Sequence, residues 1–228
     1  MKRSIRVTTG VVLLALSLLC AASVMAQDPA KVAPDIFKVR LDNASVRVLE
    51  VKGKAGQKAP MHKHRNYVVY SLVDGSAQHT DAKGAASDSS LKAGQAIWRD
   101  AESHASEVVS DIHVLLFELK GRKAPKPARP APPDDPMKVD PDHYKVLLEN
   151  DRVRVLEFRG APGNETPMHS HPGYVTYNFD NGKTTFNSKG KTVEVVSQAG
   201  EVRWHEAETH SGKNTGETEL HVLIVEIK

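Results

Sequence analysis

The sequence predicts an all-β chain of two tandem domains, and three observations carry that prediction. Apolar residues alternate or form short runs between turn residues, one half of the chain repeats the other, and a proline-rich stretch separates the halves. The repeat is read directly from the text: Asp42-Asn43 through Val46-Arg47-Val48-Leu49-Glu50 recurs as Glu149-Asn150 through Val153-Arg154-Val155-Leu156-Glu157, an offset of 107 residues. Gly75 falls on Gly182 at the same offset. A one-residue gap then sets Gly94, Trp98, Glu102 and His104 on Gly200, Trp204, Glu208 and His210. The closing runs, His113 to Lys120 and His221 to Lys228, match after two more residues. A repeat of about a hundred residues is a duplicated domain, since solenoid units span roughly 20 to 50.

Taken in order, residues 1–26 read as a secretory signal. Lys2, Arg3 and Arg6 precede an apolar run from Val11 to Leu19, and Ser23-Val24-Met25-Ala26 offers a small-residue cleavage site before Gln27. A permanent anchor is the competing reading, but Val11 to Ala26 falls short of the roughly 20 apolar residues a span needs. Leu19 stands where a lipoprotein signal places a small residue before its cysteine. The expected location is periplasmic or secreted, with no stable membrane insertion after cleavage. Cys20, the single cysteine, leaves with the signal, so each domain must rest on its own apolar core without disulfides. Cleavage also leaves 28 basic against 28 acidic residues, with no basic block outside the linker to neutralise a phosphate backbone. Nucleic acid is therefore not an expected partner, and homo-oligomerisation stays open.

The first domain is assigned to residues 27–120, the linker to 121–140 and the second domain to 141–228. The linker's prolines remove backbone donors and favour an extended spacer over helix or sheet. Strand patterns run through both domains, as in Val46 to Val51, Tyr67 to Leu72, Tyr174 to Phe179 and Thr192 to Val196. Asp74-Gly75, Asn181-Gly182 and Ala199-Gly200 mark turns between them.

The chemistry lies in the histidines. Pro-Met-His-x-His occurs at Pro60 to His64 and again at Pro167 to His171. Alternation on a strand puts His62 and His64 on one face, about 7 Å apart, and likewise His169 and His171. His104 and His210, at matching places behind a glycine and a tryptophan, supply a third ligand in each copy. Three neutral imidazoles suit a divalent transition metal (Fe, Zn, Ni, Mn or Cu) and leave coordination positions open. Glu102 and Glu208, two residues before the third histidines, are candidates for a proton-moving base or a replacement ligand; exposed loop carboxylates are the rival reading. Tyr70 and Tyr177 keep the parity of His64 and His171, so they are expected to face inward, either orienting a ligand or filling the core. Trp98 and Trp204 wall the cavity or fill the core. His113 and His221 suggest packing or a hydrogen bond, and His79, His143 and His205 receive no chemistry.

At these residues the chain resembles the cupin superfamily. Gly56, His62, His64 and Gly75 fit its first motif without a gap, as do Gly163, His169, His171 and Gly182. Gly200, His210 and Asn214 echo the second motif, whereas Gly94 and His104 lack the asparagine. The resemblance covers nearly all of both halves and implies a bicupin: two jelly-roll barrels (double-stranded β-helices), each with a metal inside. The glutamate of the first motif is replaced by Val68 and Val175, which cannot bind a metal. Both sites are in that respect similar to three-histidine cupin dioxygenases. Losing the carboxylate leaves the ion's charge uncompensated and favours a small anionic ligand. The expected function is metal-dependent binding or conversion of a small anionic metabolite, dioxygenase- or isomerase-like if catalytic. The alternative is a non-catalytic metal- or ligand-binding module of the cell envelope. Asn214 and Pro172-Gly173 make the second half the favoured working site.

Overall fold

The computed structural model describes residues 27–121 and 134–228; residues 1–26, expected above to be a secretory signal, and 122–133, within the expected linker, lie outside them. Each lobe opens with one helical turn, α1 (Pro29–Val32) or α2 (Pro136–Val139), followed by nine strands. In lobe 1 these are β1 (Phe37–Asp42), β2 (Val46–Gly53), β3 (Lys58–Lys63), β4 (Tyr67–Ser71), β5 (Gly75–Asp81), β6 (Ala86–Leu91), β7 (Ala96–Arg99), β8 (Ser103–Ser110) and β9 (Ile112–Leu119). Lobe 2 has β10 (Tyr144–Glu149), β11 (Val153–Gly160), β12 (Glu165–His171), β13 (Tyr174–Asn178), β14 (Gly182–Ser188), β15 (Lys191–Ser197), β16 (Val202–His205), β17 (Glu208–Asn214) and β18 (Leu220–Ile227). Asp134–Asp140, read from sequence as the end of the linker, belongs to this framework: Asp135 caps α2 and is buried, and Met137 packs against the lobe 2 core.

Every strand pairing is antiparallel, and each lobe closes from a five-stranded and a four-stranded sheet. The orders are β1-β2-β9-β4-β7 with β3-β8-β5-β6, and β10-β11-β18-β13-β16 with β12-β17-β14-β15. The period of two divides each long strand's side chains between two cores. On β9, Val114 and Leu116 face the lobe's interior, while Leu115, Phe117 and Leu119 face outward. That outward layer does not meet water. It packs on its lobe 2 counterpart, and one core cluster contains Val46, Val48, Leu115 and Phe117 together with Val153, Val155, Leu223 and Val225. The two five-stranded sheets are thus back to back.

Two motif glycines are required by close approach. A Cβ on Gly75 would lie 2.7 Å from the Asp111 carbonyl oxygen, and one on Gly182 would lie 2.4 Å from Leu220 Cδ2. Both open the strand reached when the chain passes from the five-stranded sheet (β4, β13) into the four-stranded one (β5, β14).

Candidate metal centres

A bulge built by the motif proline prepares each site. Pro60 has no N–H to give the β3–β8 ladder, and the register shifts between Ala59 and His62. After the shift His62 stands directly opposite His104. The same shift between Thr166 and His169 brings His169 opposite His210. The proline carbonyl then accepts a hydrogen bond from the following histidine: His62 Nδ1 lies 2.7 Å from Pro60 O, and His169 Nδ1 lies 2.7 Å from Pro167 O. A carbonyl can only accept, so Nδ1 carries the proton and Nε2 carries the lone pair a metal would take; His169 Nε2 has the Tyr144 hydroxyl 3.1 Å away.

All six sequence-predicted ligands are buried and meet in two groups, His62 with His64 and His104, and His169 with His171 and His210. Within each group the candidate ligand atoms lie within 4.8 Å of one another. Burial, the largest cause, holds His62 at about 4, His104 at about 3 and His210 at about 4, and also lowers His169. Buried imidazoles that stay neutral at pH 7 are the protonation state a metal requires. His62 Nε2 is buried without a hydrogen-bond partner, an orphan that an ion would satisfy. The donor sets fit a divalent transition metal.

The second histidine of each group is steered by a glutamate that sequence reading passed over. His64 Nδ1 donates to Glu118 Oε1 at 2.7 Å, and His171 Nδ1 donates to Glu226 Oε1 at 2.7 Å. Both carboxylates are buried on the last strand of their lobe. Behind them stand paired arginines and aspartates. Arg154 grips Glu226 at 2.6 and 3.1 Å and reaches Asp135 at 2.7 Å. Arg47 lies 3.7 Å from Glu118 and 3.0 Å from Asp28. Burial alone would raise the Glu226 carboxyl, but hydrogen bonds from His171 and Arg154 outweigh it and hold the group below its usual range. A glutamate inside an apolar terminal strand of both copies was the available signal.

Glu102 and Glu208 stand beside the third histidines. Tyr67 donates to Glu102 at 2.6 Å and Arg99 Nε at 3.0 Å; Tyr174 donates to Glu208 at 2.7 Å. The nearest carboxylate oxygens lie 3.6 Å from His104 Nδ1 and 3.3 Å from His210 Nδ1. Both glutamates are half-buried, and Glu208 lines the lobe 2 cavity.

Tyr70 and Tyr177 do not face the cavities. They lie in the core between the lobes, with ring centroids 5.9 and 5.2 Å from Phe179. The parity argument fails because the chain turns at Arg65-Asn66 and Pro172-Gly173, which resets the alternation; Tyr67 and Tyr174 take the inward places instead. Trp98 and Trp204 also pack against the interlobe core. His113 and His221 bond Glu50 and Glu157 at 2.8 and 2.7 Å. Of the unassigned histidines, His79 and His205 line the two cavities, and His143 bonds Asp140 at 2.6 Å.

The cavities differ in size and walls. Lobe 2 encloses about 490 Å³ beside His169, His171 and His210, with Phe158, Val193, Val195 and Ile224 among its walls. Lobe 1 encloses about 90 Å³.

No family model and no curated protein matches the chain. Solved structures do. An oxalate decarboxylase from Bacillus subtilis, described for its Mn(II) centres, superposes with a TM-score of 0.58 at 15% identity, covering 84% of this chain and 75% of its own. A second oxalate decarboxylase structure, described for an element that modulates proton-coupled electron transfer, gives 0.57 at 14% over the same shares. A cupin domain from Bordetella pertussis shares 30% identity across 37% of this chain and 91% of its own, with a TM-score of 0.36. The two closed antiparallel lobes have the cupin fold. The chain thus has a two-lobed, bicupin architecture, with one three-histidine group in each lobe.

Proposed function

We propose that this bicupin is exported to the periplasm or beyond, holds a divalent transition metal in each lobe, and binds or converts a small anionic metabolite in lobe 2. The observation that carries the reading is the meeting of His169, His171 and His210, all buried, in the lining of a 490 Å³ cavity. That volume is within the range of small-molecule sites, roughly 300–1,000 Å³. Three neutral ligands leave a divalent ion's charge uncompensated, and the ion when bound supplies Lewis acidity toward a carboxylate or enolate oxygen. Apolar walls of Phe158, Val193, Val195 and Ile224 suit a ligand whose anionic end faces the histidines and whose remainder is hydrocarbon.

The chain's own residues do the positioning. Tyr144 lines the cavity and places its hydroxyl 3.1 Å from His169 Nε2, where it can donate to a bound anion. Glu208, hydrogen-bonded to Tyr174, is the group available to hold or move a proton beside His210. With these parts a dioxygenase- or isomerase-like conversion is the catalytic form of the proposal. The non-catalytic form, a binding module, is favoured by the fact that Glu208 is already engaged by a phenol.

Elemental analysis of untagged protein tests the reading first, with about one divalent metal per lobe expected. Calorimetric titration of the metal-loaded protein with oxalate and with longer carboxylates should then show binding that disappears in the His169→Ala/His171→Ala double variant. Metal content unchanged by that double substitution would overturn the reading. Ligand-dependent oxygen consumption separates the oxygenase form from a pure binder.

A further inference from the structure

The inner walls of the two lobes differ at three matched places. In lobe 1 Val69 pairs with Ile97, Leu91 stands opposite Gly75, and the three apolar side chains pack in the interior core. The same register in lobe 2 pairs Thr176 with Arg203 and sets Ser197 opposite Gly182. Thr176, Arg203 and Ser197 line the lobe 2 cavity instead of joining that lobe's interior core. Polar groups at such places forfeit apolar burial, so lobe 2 gives up core for a polar wall. Lobe 1 has an arginine on this wall too, but it is Arg99, whose Nε is held by Glu102 at 3.0 Å. His205 takes that place in lobe 2, stacked on Tyr174, and the cation stands two residues back along the strand. Arg203 gives Nη2 to Glu201 Oε1 at 2.5 Å, and its other N–H groups have no partner among the described residues. Its cross-strand neighbour Thr176 follows Tyr174 by two residues, about 7 Å of strand, and the Tyr174 ring centroid is 4.8 Å from that of His171. Arg203 therefore faces the cavity about one strand repeat beyond the histidine end.

We propose that Arg203 is the second anchor of the lobe 2 ligand and that this ligand is a dicarboxylate. One carboxylate lies at the three histidines, the other on the Arg203 guanidinium, with a short hydrocarbon middle that the apolar walls accept. The inference rests on the lobe 2 reading above and deepens it by ending the hydrocarbon in a second charge. A guanidinium presents a planar fork that matches a carboxylate with two parallel hydrogen bonds, which gives it a preference for that group over an alkyl end. Glu201, at the same fork, holds Arg203 in place until the ligand's carboxylate joins it.

The test is calorimetric titration of the metal-loaded full chain with glutarate and adipate, each against the monocarboxylate of equal length, valerate or hexanoate. The dicarboxylates should bind at least tenfold more tightly. Arg203→Ile, which installs the residue of lobe 1, should abolish that preference while metal content, read by plasma mass spectrometry, is retained. Arg203→Gln repeats the measurement if the isoleucine variant misfolds. Losing Arg203 also frees the Glu201 carboxylate, which would repel a dianion by itself, so Glu201→Gln/Arg203→Ile is measured alongside and should show no preference either. Equal binding of the two series by the unaltered chain overturns the inference. So does a preference that survives Arg203→Ile and Arg203→Gln, or one that returns in the double variant. Each of these outcomes leaves the lobe 2 reading standing, because a carboxylate still binds. Binding of neither series sinks that reading, and the inference with it.

Discussion

Lobe 1 and lobe 2 share a sheet order, a bulge, a histidine triad and a buried glutamate behind it, yet they surround these parts differently. Around the lobe 2 triad, Tyr144 bonds His169, Arg154 clamps Glu226 with two short hydrogen bonds, and a 490 Å³ cavity opens beside the rings. Around the lobe 1 triad, Phe37 replaces the phenol, Arg47 stands 3.7 Å from Glu118, and the cavity shrinks to 90 Å³. What the difference teaches is that ligand type is set by the strand register, which both copies keep. Ligand access is set by a few side chains on the surrounding strands.

The largest effect that would break the comparison is metal content. His62→Ala/His64→Ala and His169→Ala/His171→Ala should each lower the metal bound per chain from about two to about one, read by plasma mass spectrometry; a drop in one variant alone would show that the lobes do not both bind. Next comes the arginine pair. Arg154→Ala strands a buried carboxylate that is 1% exposed and should cost about 3–5 kcal/mol in denaturant unfolding. Arg47→Ala, whose partner Asp28 is partly exposed, should cost about 1 kcal/mol. Equal losses would mean that the two glutamates are held alike.

Acid should sharpen the contrast in metal-free protein. His62, His104 and His210 have folded values of about 4, 3 and 4, below the ordinary 6.5, so the unfolded chain binds their protons first. Stability is therefore full above pH 6.5 and falls as pH drops toward 4. Glu226 acts in the same direction at lower pH: its depressed folded value gives stability above the unfolded carboxylate range that is lost as pH falls through the folded one. Melting temperature against pH should decline across this window, and added Zn²⁺ should restore it at the upper end. The smallest effect belongs to the phenol. Tyr144→Phe removes the hydroxyl placed beside His169 to donate to a bound anion and should weaken carboxylate binding in lobe 2 by about 1 kcal/mol, measured by calorimetry, with metal content retained.

Much of this was legible in the sequence because it depends on local rules. Alternation marked the strands, the 107-residue offset marked the duplication, and His-x-His on a strand placed two imidazoles on one face. What escaped depends on which strand neighbours which. Glu118 and Glu226 lie 54 and 55 residues from the histidines they steer, and no spacing rule joins them. Tyr70 and Tyr177 were misplaced because alternation was carried through a turn, where it does not hold. The α2 turn was hidden inside proline-rich text, although Asp135-Pro136 repeats Asp28-Pro29 at the same offset. His79 received no chemistry because it has no histidine twin, yet it lines the lobe 1 cavity beside His104.

The back-to-back sheets give the tether between the halves a modest job. β1 abuts β16 and β10 abuts β7, a reciprocal arrangement of the kind that relates the subunits of a twofold dimer. Apolar burial over that face, with Val48, Phe117, Val155 and Val225 at its centre, is what joins the lobes. A protease cut within residues 122–133 should therefore yield two fragments that migrate together until denaturant separates them.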